Sequence, residues 1–254
     1  MDLGLQERAY VVTGGSSGLG FATAQALVAD GARVSLCARD EDALRAACDQ
    51  LGGPDRALPI AGDLGEPGTG TRVAAAAVAR YGRLDGALIS VGGPKPGTAL
   101  SHPDEEWRAA FETVFLGAVR TARAVVNAMS PEGGSIVFVL SSSVRSPIEG
   151  LALSNGLRPG LAMVAKSLAD ELAGRHIRVN GLLPGRIDTP RIQQTDAASG
   201  RPVTSRREWE RQIPLGRYGE PEEFGRVAAF LLSPAASYVT GTMLAVDGGL
   251  LRSY

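Results

Sequence analysis

The sequence Thr13-Gly14-Gly15-Ser16-Ser17-Gly18-Leu19-Gly20 indicates the fold of the whole chain. An apolar run predicted as a strand, residues 8–13, precedes it, and an Ala-rich stretch predicted as a helix begins at residue 18. Glycines at such a junction permit a tight turn and let the backbone bring a pyrophosphate to the positive end of a helix. A glycine cluster alone could be a plain turn, but its place at the start of a strand–helix unit predicts a dinucleotide site.

Short apolar runs alternate with longer amphipathic stretches along the rest of the chain. Runs such as residues 136–140 are apolar throughout, which is typical of strands covered by helices on both faces. The pattern predicts an α/β fold of the Rossmann type, a doubly wound parallel sheet of about seven strands. We predict strands at residues 8–13, 33–38, 57–61, 87–91, 135–140, 178–183 and 243–246. We predict helices at residues 18–30, 40–51, 69–81, 105–129, 153–175 and 221–232.

The chain shows no repeat and no linker, so we predict a single domain over residues 1–254. Its cofactor half would span about residues 1–130, and its substrate half about residues 131–254. Within the second half, the polar and irregular stretch at residues 190–213 is the expected substrate loop.

Composition narrows the possible partners. The 254 residues carry 26 basic and 27 acidic side chains, a balance that gives no footprint for nucleic acid. No apolar run approaches the roughly 20 residues that cross a bilayer, and Met1-Asp2-Leu3-Gly4 does not begin a signal peptide. We therefore expect a cytoplasmic protein. Cys37 and Cys48 are predicted to be small buried side chains, without a disulfide or a metal site.

The spacing of Gly14, Gly18 and Gly20 resembles the T-G-x-x-x-G-x-G turn of the short-chain dehydrogenase/reductase family, and the resemblance covers essentially the whole chain. Leu153-Ser154-Asn155-x-x-Arg158 also resembles a divergent bacterial subgroup, similar to 3-oxoacyl-ACP reductases, that lacks the family's Tyr-x-x-x-Lys pair. Further matching segments are Asp63-Leu64, Ile177-Arg178-Val179-Asn180, Pro184-Gly185, Ile213-Pro214-Leu215-Gly216-Arg217, Gly219-Glu220-Pro221-Glu222-Glu223, Val239-Thr240-Gly241 and Val246-Asp247-Gly248-Gly249.

The resemblance implies a nicotinamide dinucleotide and a set of residues that bind it. Asp63 would contact the adenine, and Thr189 would hold the carboxamide beside the turn at Pro184-Gly185. The whole implied cofactor set is Gly14, Ser16, Ser17, Gly18, Leu19, Gly20, Arg39, Asp63, Leu64, Ser90, Gly92, Arg158, Pro184, Gly185, Ile187 and Thr189.

The end of the second strand favours NADP over NAD. An acidic residue there would bind the ribose 2′-hydroxyl and repel a 2′-phosphate, but the position is Ala38, followed by Arg39. A guanidinium suits a phosphate well. Two features weaken this prediction. Ser17 stands where NADP-binding relatives often place a second basic residue, and Asp40 is close enough to compete.

The residues that would move a proton depart from the family. The resemblance implies a Tyr that exchanges the proton, a Lys one turn later that holds the ribose, a Ser that orients the substrate oxygen and an Asn that supports a water. Here the Tyr and Lys positions are Ser154 and Arg158, which share one helix face. No Tyr occurs between Tyr81 and Tyr218, and the only lysines are Lys95 and Lys166.

Other positions of the site differ as well. The family's Asn-Asn-Ala-Gly segment after the fourth strand reads Ser90-Val91-Gly92-Gly93, and the Asn of the long helix becomes Val114. A serine persists after the fifth strand. Val144 favours Ser143 as the catalytic serine, whereas the spacing from Ser154 favours Ser141. In an extended segment these two side chains would point to the same side, so either could serve.

The predicted catalytic set, Ser143, Ser154 and Arg158, retains charge but loses acidity. An aliphatic hydroxyl is far less acidic than a phenol, so Ser154 is a poor proton donor near neutral pH. Arg158 keeps the positive charge and can bind ribose hydroxyls, but it does not readily release its proton. Ribose binding is therefore expected to survive while acid–base catalysis is weakened.

Three features on the substrate side have a functional and a plainer interpretation. The arginines of residues 190–213 could attract an anionic substrate or a phosphopantetheine carrier, or they could belong to a solvated loop. His102 could replace the missing proton donor, although a surface loop is the favoured interpretation. Lys95 lies on the same rim of the predicted site.

The sequence favours two functions and leaves a third open, a non-redox activity such as that of a lyase or an isomerase on the same scaffold. The first is an NADP-dependent oxidoreductase that transfers a hydride to or from a small carbonyl or alcohol substrate. The alternative is a catalytically impaired nucleotide-binding protein, a sensor or an assembly partner. In either case, the resemblance implies a homotetramer or homodimer, which the apolar Leu250-Leu251 near the C-terminus fits.

Overall fold

A computed structural model describes residues 2–198 and 200–253, so that Met1, Ser199 and Tyr254 lie outside the described residues. The alternation predicted from the sequence is confirmed. The strands are β1 (Ala9–Thr13), β2 (Arg33–Ala38), β3 (Ala57–Ala61), β4 (Gly86–Ser90), β5 (Gly134–Val139), β6 (Ile177–Pro184) and β7 (Met243–Val246). The helices are α1 (Gly18–Ala29), α2 (Glu41–Gln50), α3 (Thr69–Tyr81), α4 (Asp104–Ala110), α5 (Gly117–Ala128), α6 (Ala152–Leu172), α7 (Pro190–Ala198), α8 (Pro202–Gln212) and α9 (Pro221–Leu232).

The seven strands form one parallel sheet in the order β3-β2-β1-β4-β5-β6-β7. The chain order reverses between β1 and β4, so the loops that leave these two strands diverge to opposite faces. In open α/β sheets this switch point, at the carboxyl ends of the strands, is where ligands bind. The sheet therefore places the Gly-rich turn after β1 at the edge where a site is expected.

Hydrophobic layers cover both faces of the sheet. One contains Ile136 and Phe138 together with apolar residues of α3, α5 and α6. The other contains Val137 and Val139 with residues of α1, α2 and α9. Alternate residues of β5 thus enter opposite layers, which explains why the strand is apolar throughout. Cys37 and Cys48 are both buried, as predicted.

The long helix predicted at residues 105–129 differs from the prediction because it contains a wider turn. The segment Phe111–Leu116 is a π-helix between α4 and α5, and the Gly117 N–H donates to the carbonyl of Glu112. A Cβ on Gly117 would lie 2.5 Å from the carbonyl oxygen of Leu64, so only glycine allows this approach. Tertiary packing against the loop after β3 thus accompanies the wider turn.

The predicted irregular stretch at residues 190–213 is also different. It contains two helices, α7 and α8, which we call the lid, and Ser199 between them lies outside the described residues. Of the helices that the structure describes, none is both long enough and apolar enough to span a membrane.

Candidate active site

The Gly-rich turn after β1 has the geometry that its sequence predicts. Gly14 and Gly18 adopt φ angles of 61° and 55°, a region that side chains other than glycine rarely occupy. A Cβ on Gly20 would lie 2.2 Å from the Gly14 carbonyl oxygen, so the helix start packs directly on the turn. Ser17, the residue before α1, makes no side-chain capping bond, and the first turn of the helix keeps N–H groups for a ligand.

Two hydrogen bonds join the turn to the neighbouring strand at the switch point. The Thr13 hydroxyl donates to the Ser90 carbonyl over 2.7 Å and accepts from the Ser90 N–H over 2.8 Å. This exchange fixes the carboxyl ends of β1 and β4 side by side. Gly92, two residues after β4, has open space around its Cα. The edge therefore offers a rigid floor with room above it.

The residues predicted to bind the adenosine end lie along the neighbouring strands. Arg39 is exposed directly after β2. Asp40 instead caps α2, because its carboxylate accepts from the Ala43 N–H over 3.0 Å. Asp63 and Leu64 follow β3, and the Asp63 carboxylate accepts from the Gly65 N–H over 2.8 Å. Asp40 is thus engaged with its own helix, whereas Arg39 extends into solvent.

The last residues of the predicted cofactor set follow β6. Pro184 ends the strand, and a Cβ on Gly185 would lie 2.6 Å from the Cβ of Asp247, so this turn is tight. Ile187 forms a bridge with Gly219. Thr189 comes next to the Gly-rich turn, since its Cγ2 would lie 3.5 Å from a Cβ on Gly18. The segment after β6 and the Gly-rich turn after β1 therefore lie next to each other.

Ser143 and Ser154 are brought together. Their hydroxyl oxygens are 3.4 Å apart, and both residues are buried. The serine segment was predicted to be extended. Instead, Ser142–Val144 forms a turn of 3₁₀ helix. Ser141 accepts a hydrogen bond from the Ser143 N–H and so caps this turn. The structure therefore pairs Ser143, rather than Ser141, with Ser154.

Arg158 lies one turn after Ser154 on α6 and is 6% exposed. Its Nη1 donates to the Val139 carbonyl at the end of β5 over 2.9 Å. Burial, with a smaller contribution from the positive charge of Arg191, lowers the pKa of Arg158 to about 10. A guanidinium has five N–H donors, and one of them is used here.

The described tyrosines are either hydrogen-bonded to other parts of the chain or exposed. Tyr10 donates to the Leu232 carbonyl, and Tyr81 donates to the Val34 carbonyl within the cofactor half. Tyr218 is buried and donates to the Asp196 carboxylate over 3.0 Å, while burial raises its pKa. Tyr238 is fully exposed. Among the residues that the structure describes, the hydroxyls beside Arg158 are therefore those of serines.

Polar contacts join the lid to neighbouring segments of the chain. The Arg206 guanidinium donates to Asp188 over 2.6 Å and lies 4.5 Å over the ring of Tyr218. Hydrogen bonds from Gln193 and then Arg206 lower the pKa of Asp188. Arg191 of α7 crosses to the loop after β4, where it donates to the carbonyls at residues 93 and 94. These contacts of Arg191 were not evident from the sequence, because its partners are main-chain atoms 97 and 98 residues away.

His102 lies in the loop before α4, as the favoured prediction had it, but its side chain is buried rather than exposed. Its side chain is 2% exposed, and its Nδ1 lies 2.6 Å from Oε2 of Glu106. The Lys95 ammonium binds the other oxygen of the same carboxylate. These hydrogen bonds, from Lys95 first and then from His102, lower the pKa of Glu106. Sequence reasoning missed Glu106, although its spacing of four residues from His102 at a helix start was a usable signal.

Asn155 is a second residue that the sequence analysis did not assign. Its side-chain amide donates to the Ile148 carbonyl over 2.8 Å, and its oxygen accepts from the Ile148 N–H over 3.1 Å. This paired contact ties the loop before α6 to the first turn of the helix. It therefore positions the neighbouring Ser154.

The fold and this edge together define a Rossmann-type α/β protein with a phosphate-type turn at its switch point, and comparison with known proteins identifies the family. The model of a family described as enoyl-(acyl carrier protein) reductase matches residues 14–251. The 3-oxoacyl-[acyl-carrier-protein] reductase of Chlamydia muridarum (strain MoPn / Nigg) is 31% identical over 256 residues, covering 97% of this chain and 98% of the relative. The chain belongs to the short-chain dehydrogenase/reductase family of oxidoreductases.

Two solved structures are similar over almost the full length. L-sorbose reductase from Gluconobacter frateurii, in complex with NADPH and L-sorbose, superposes with a TM-score of 0.94 at 31% identity and 100% coverage of both chains. An NADPH-bound short chain oxidoreductase from Pseudomonas aeruginosa PAO1 is described as containing an atypical catalytic center. It has a TM-score of 0.90 at 31% identity and covers 99% of each chain.

Proposed function

We propose that this protein is an NADP-dependent oxidoreductase that transfers a hydride between the nicotinamide and a small carbonyl or alcohol substrate, with altered acid–base residues. The observation that carries the proposal is the group formed by Ser143, Ser154 and Arg158 at the carboxyl edge of the sheet. The Gly-rich turn and Thr189 meet beside the switch point at the same edge. The NADPH complexes of two similar structures support the choice of cofactor.

The residues present fit the dinucleotide. The turn at Gly14 and Gly18 has the backbone that a pyrophosphate needs, and the start of α1 offers N–H groups to it. Arg39 is exposed where a 2′-phosphate would lie, while Asp40 is used as a helix cap. The open space at Gly92 leaves room for a ring above the floor of the site. These features favour NADP over NAD.

When bound, NADPH supplies the hydride, and this chain's residues orient the partners. Arg158 would hold ribose hydroxyls with the donors that Val139 does not use. The hydroxyls of Ser143 and Ser154 can each donate or accept, so that the pair would bind and orient the substrate oxygen. Asn155 keeps the first turn of α6 in place through its two bonds to Ile148. Orientation of this kind contributes much of the rate in hydride transfer.

The alternative function is a nucleotide-binding protein that has lost catalysis. The observation in its favour is that Ser154 and Arg158 stand at the positions where the family resemblance implies Tyr and Lys. In that case the cofactor would bind as proposed, but no carbonyl would be reduced.

A turnover assay separates the two functions. A panel of small ketones, aldehydes and alcohols is incubated with the wild-type protein and NADPH or NADP⁺, and the absorbance of the reduced nicotinamide is followed. The oxidoreductase proposal predicts turnover with part of the panel. Measurable NADPH binding without turnover of any substrate would favour the alternative.

The double variant Ser154→Tyr with Arg158→Lys is the matched comparison. If the protein is a catalyst with its own proton source, the wild type matches or exceeds the double variant with its preferred substrate. If it has lost catalysis, restoring the phenol and the amine raises a negligible rate.

We also propose that the chain self-associates as a homotetramer or homodimer. Phe111, on the segment between α4 and α5, and Met163, on α6, are exposed apolar side chains on neighbouring helices. Leu244 on β7 is exposed at the edge of the sheet. Light scattering of the purified chain tests this proposal, which a monomer at micromolar concentration would contradict.

A further inference from the structure

His102 is a buried imidazole with one nitrogen engaged and the other free. Its Nδ1 lies 2.6 Å from Oε2 of Glu106, and the ring edge faces Trp107, with 6.5 Å between the ring centroids. Its Nε2 is buried and has no hydrogen-bond partner among the described residues. Buried polar atoms in folded proteins are nearly always paired, so an unpaired one indicates a partner that arrives with water or a ligand.

The loop that contacts the free nitrogen also pairs with the start of α6. A Cβ on Gly97 would be 2.6 Å from Nε2, so the imidazole rests on this residue. Gly97 in turn pairs with Leu151, and its carbonyl accepts from the Ala152 N–H over 3.1 Å. Ala152 is the first residue of α6, and Ser154 follows two residues later.

A second contact joins α4 directly to α6. The ring of Trp107 would lie 3.0 Å from a Cβ on Gly156, which stands between Ser154 and Arg158 on α6. Trp107 is the residue next to Glu106, so the helix that carries the carboxylate also packs on the helix that carries the candidate catalytic residues. The His102–Glu106 pair is therefore connected to the first turns of α6 by two contacts, one through the loop at Gly97 and one through Trp107.

No other described side chain offers comparable proton chemistry at this edge. The second histidine, His176, stands immediately before β6, and its carbonyl accepts from the Gly134 N–H at the start of β5. It therefore lies at the opposite, amino edge of the sheet. The described tyrosines are engaged or exposed elsewhere, and Lys95 is paired with Glu106. An imidazole ordinarily changes its own charge close to neutral pH. His102 is thus the described side chain near the site that is best suited to exchange a proton.

We propose that His102 is the proton reservoir of the reaction, and that its Nε2 exchanges a proton with the reacting oxygen through water and the paired hydroxyls of Ser154 and Ser143. The inference rests on the proposed oxidoreductase function and specifies which group takes over the role of the missing phenol.

The proton count balances in the reducing direction. The imidazolium gives its Nε2 proton to a bridging water, which passes a proton to the Ser154 hydroxyl. Each hydroxyl gains one proton and hands on another, so the last one reaches the substrate oxygen while the carbonyl carbon receives the hydride. His102 is left neutral, with its remaining proton on Nδ1 toward Glu106, and solvent restores the imidazolium. Alcohol oxidation reverses each transfer.

The charges around His102 suit this task. The Glu106 carboxylate, on α4, lies 2.6 Å from Nδ1 of His102. Lys95, in the loop after β4, binds the other oxygen of the same carboxylate. The residues packed on the ring from the 97–101 loop and from the start of α6 bring no ionisable group: they are Gly97 and Ser101, with Leu151 and Ala152 beyond them.

The first test follows the imidazole itself and needs no turnover. The chain has two histidines, so nitrogen NMR of His-labelled protein gives two ring systems, and a His176→Asn variant assigns them. We expect the Nε2 signal of His102 to shift when NADPH binds, while Nδ1 keeps its bond to Glu106. A His102 signal that NADPH leaves unchanged would overturn the proposal, whether or not the protein turns over a substrate.

The second test uses the pH dependence of the rate. Removal of a general acid lowers kcat by about 10²- to 10⁴-fold, so we expect a loss in this range for His102→Gln with little change in KM or in NADPH affinity. In the wild type the rate of carbonyl reduction should fall as the pH rises and the imidazolium is lost. This limb should disappear in the variant, and His176→Asn should keep the wild-type profile. A wild-type pH limb retained in His102→Gln would refute the inference.

Glu106→Gln guards against a folding defect. Because it keeps the size of the side chain, we expect it to preserve the folded state while moving the same pH limb to lower pH. Full wild-type kcat and an unmoved limb in this variant would count against the proposal. If the wild type binds NADPH but reduces no carbonyl, the proposed function fails. The NMR measurement then shows separately whether the His102 signal responds to NADPH.

Discussion

Replacing Arg158 with Met should weaken cofactor binding while leaving the fold as stable as before. The guanidinium is 6% exposed, and burial together with Arg191 lowers its pKa to about 10. The difference from the ordinary value of an arginine corresponds to a penalty of about 3 kcal/mol on the charged form in the folded protein. An apolar side chain of similar length removes this penalty.

The substitution also removes a stabilising contact. The hydrogen bond from Arg158 to the Val139 carbonyl contributes about 2 kcal/mol, because the donor is charged. The two effects nearly cancel, and the free energy of unfolding should change by no more than about 1 kcal/mol, or about 2–4 °C in Tm. NADPH loses the remaining charged donors, so that its Kd should rise about 10- to 100-fold.

Thermal unfolding and calorimetric titration with NADPH measure both quantities. Arg175→Met is the matched control, since Arg175 also donates to one main-chain carbonyl, that of Val126, but lies beyond the end of α6. We expect the control to leave NADPH affinity unchanged. An Arg158→Met protein that is several kcal/mol less stable yet binds NADPH normally would refute this reasoning, because Arg158 would then be a structural residue.

Three further predictions address the cofactor turn, the cofactor choice and the C-terminal half. Gly20→Ala would place a Cβ 2.2 Å from the Gly14 carbonyl, so we expect a loss of about 1–3 kcal/mol in stability and weaker NADPH binding; Gly174→Ala, where the space is open, should be nearly neutral in both measurements. Arg39→Asp should lower the ratio of NADPH to NADH affinity by at least about 10-fold in calorimetric titrations, and an unchanged ratio would show that the phosphate is bound elsewhere. The hydrogen bond from Arg217 and a backbone N–H lower the pKa of Glu223 to about 2. The stability that this carboxylate adds is complete above its unfolded pKa of about 4.5 and is lost as the pH falls toward about 2. Glu223→Gln should lower the free energy of unfolding by about 0.5–1 kcal/mol near pH 7. The variant should also show a flatter dependence of Tm on pH between about pH 4.5 and pH 2.

Much of the cofactor half could be predicted from the sequence because its requirements are local. Gly14 and Gly18 are needed for backbone angles that other residues rarely adopt, and Gly20 is needed because no side chain fits against the turn. Such requirements appear directly as residue types at fixed spacing. The apolar runs of the strands are equally direct, since β5 must be buried on both faces.

The features that the sequence did not reveal depend on contacts between distant segments. The π-helical turn before α5 has an ordinary helical sequence, and its wider geometry comes with the close approach of Gly117 to Leu64. The lid helices are strongly polar, so their hydrophobic pattern is weak, and ion pairs such as Arg206 with Asp188 hold them in place. Burial of His102 likewise depends on the loop at Gly97 folding over it.

The choice between Ser141 and Ser143 shows the same limit within the site. Spacing along the chain favoured one, and the following residue favoured the other. The 3₁₀ turn at Ser142–Val144 turns Ser141 into a cap and brings Ser143 to Ser154. A turn of this size changes which side chains face the site, and residue spacing does not encode it.

The most direct test of the central claim is calorimetric titration of the wild-type chain with NADPH and with NADH. The structure predicts saturable binding of NADPH, and NADH binding that is weaker by at least about 10-fold, since the 2′-phosphate adds a charged contact to Arg39. Absence of measurable binding for both nucleotides would contradict the account, because the glycine turn, Arg39 and Arg158 would then not form a dinucleotide site.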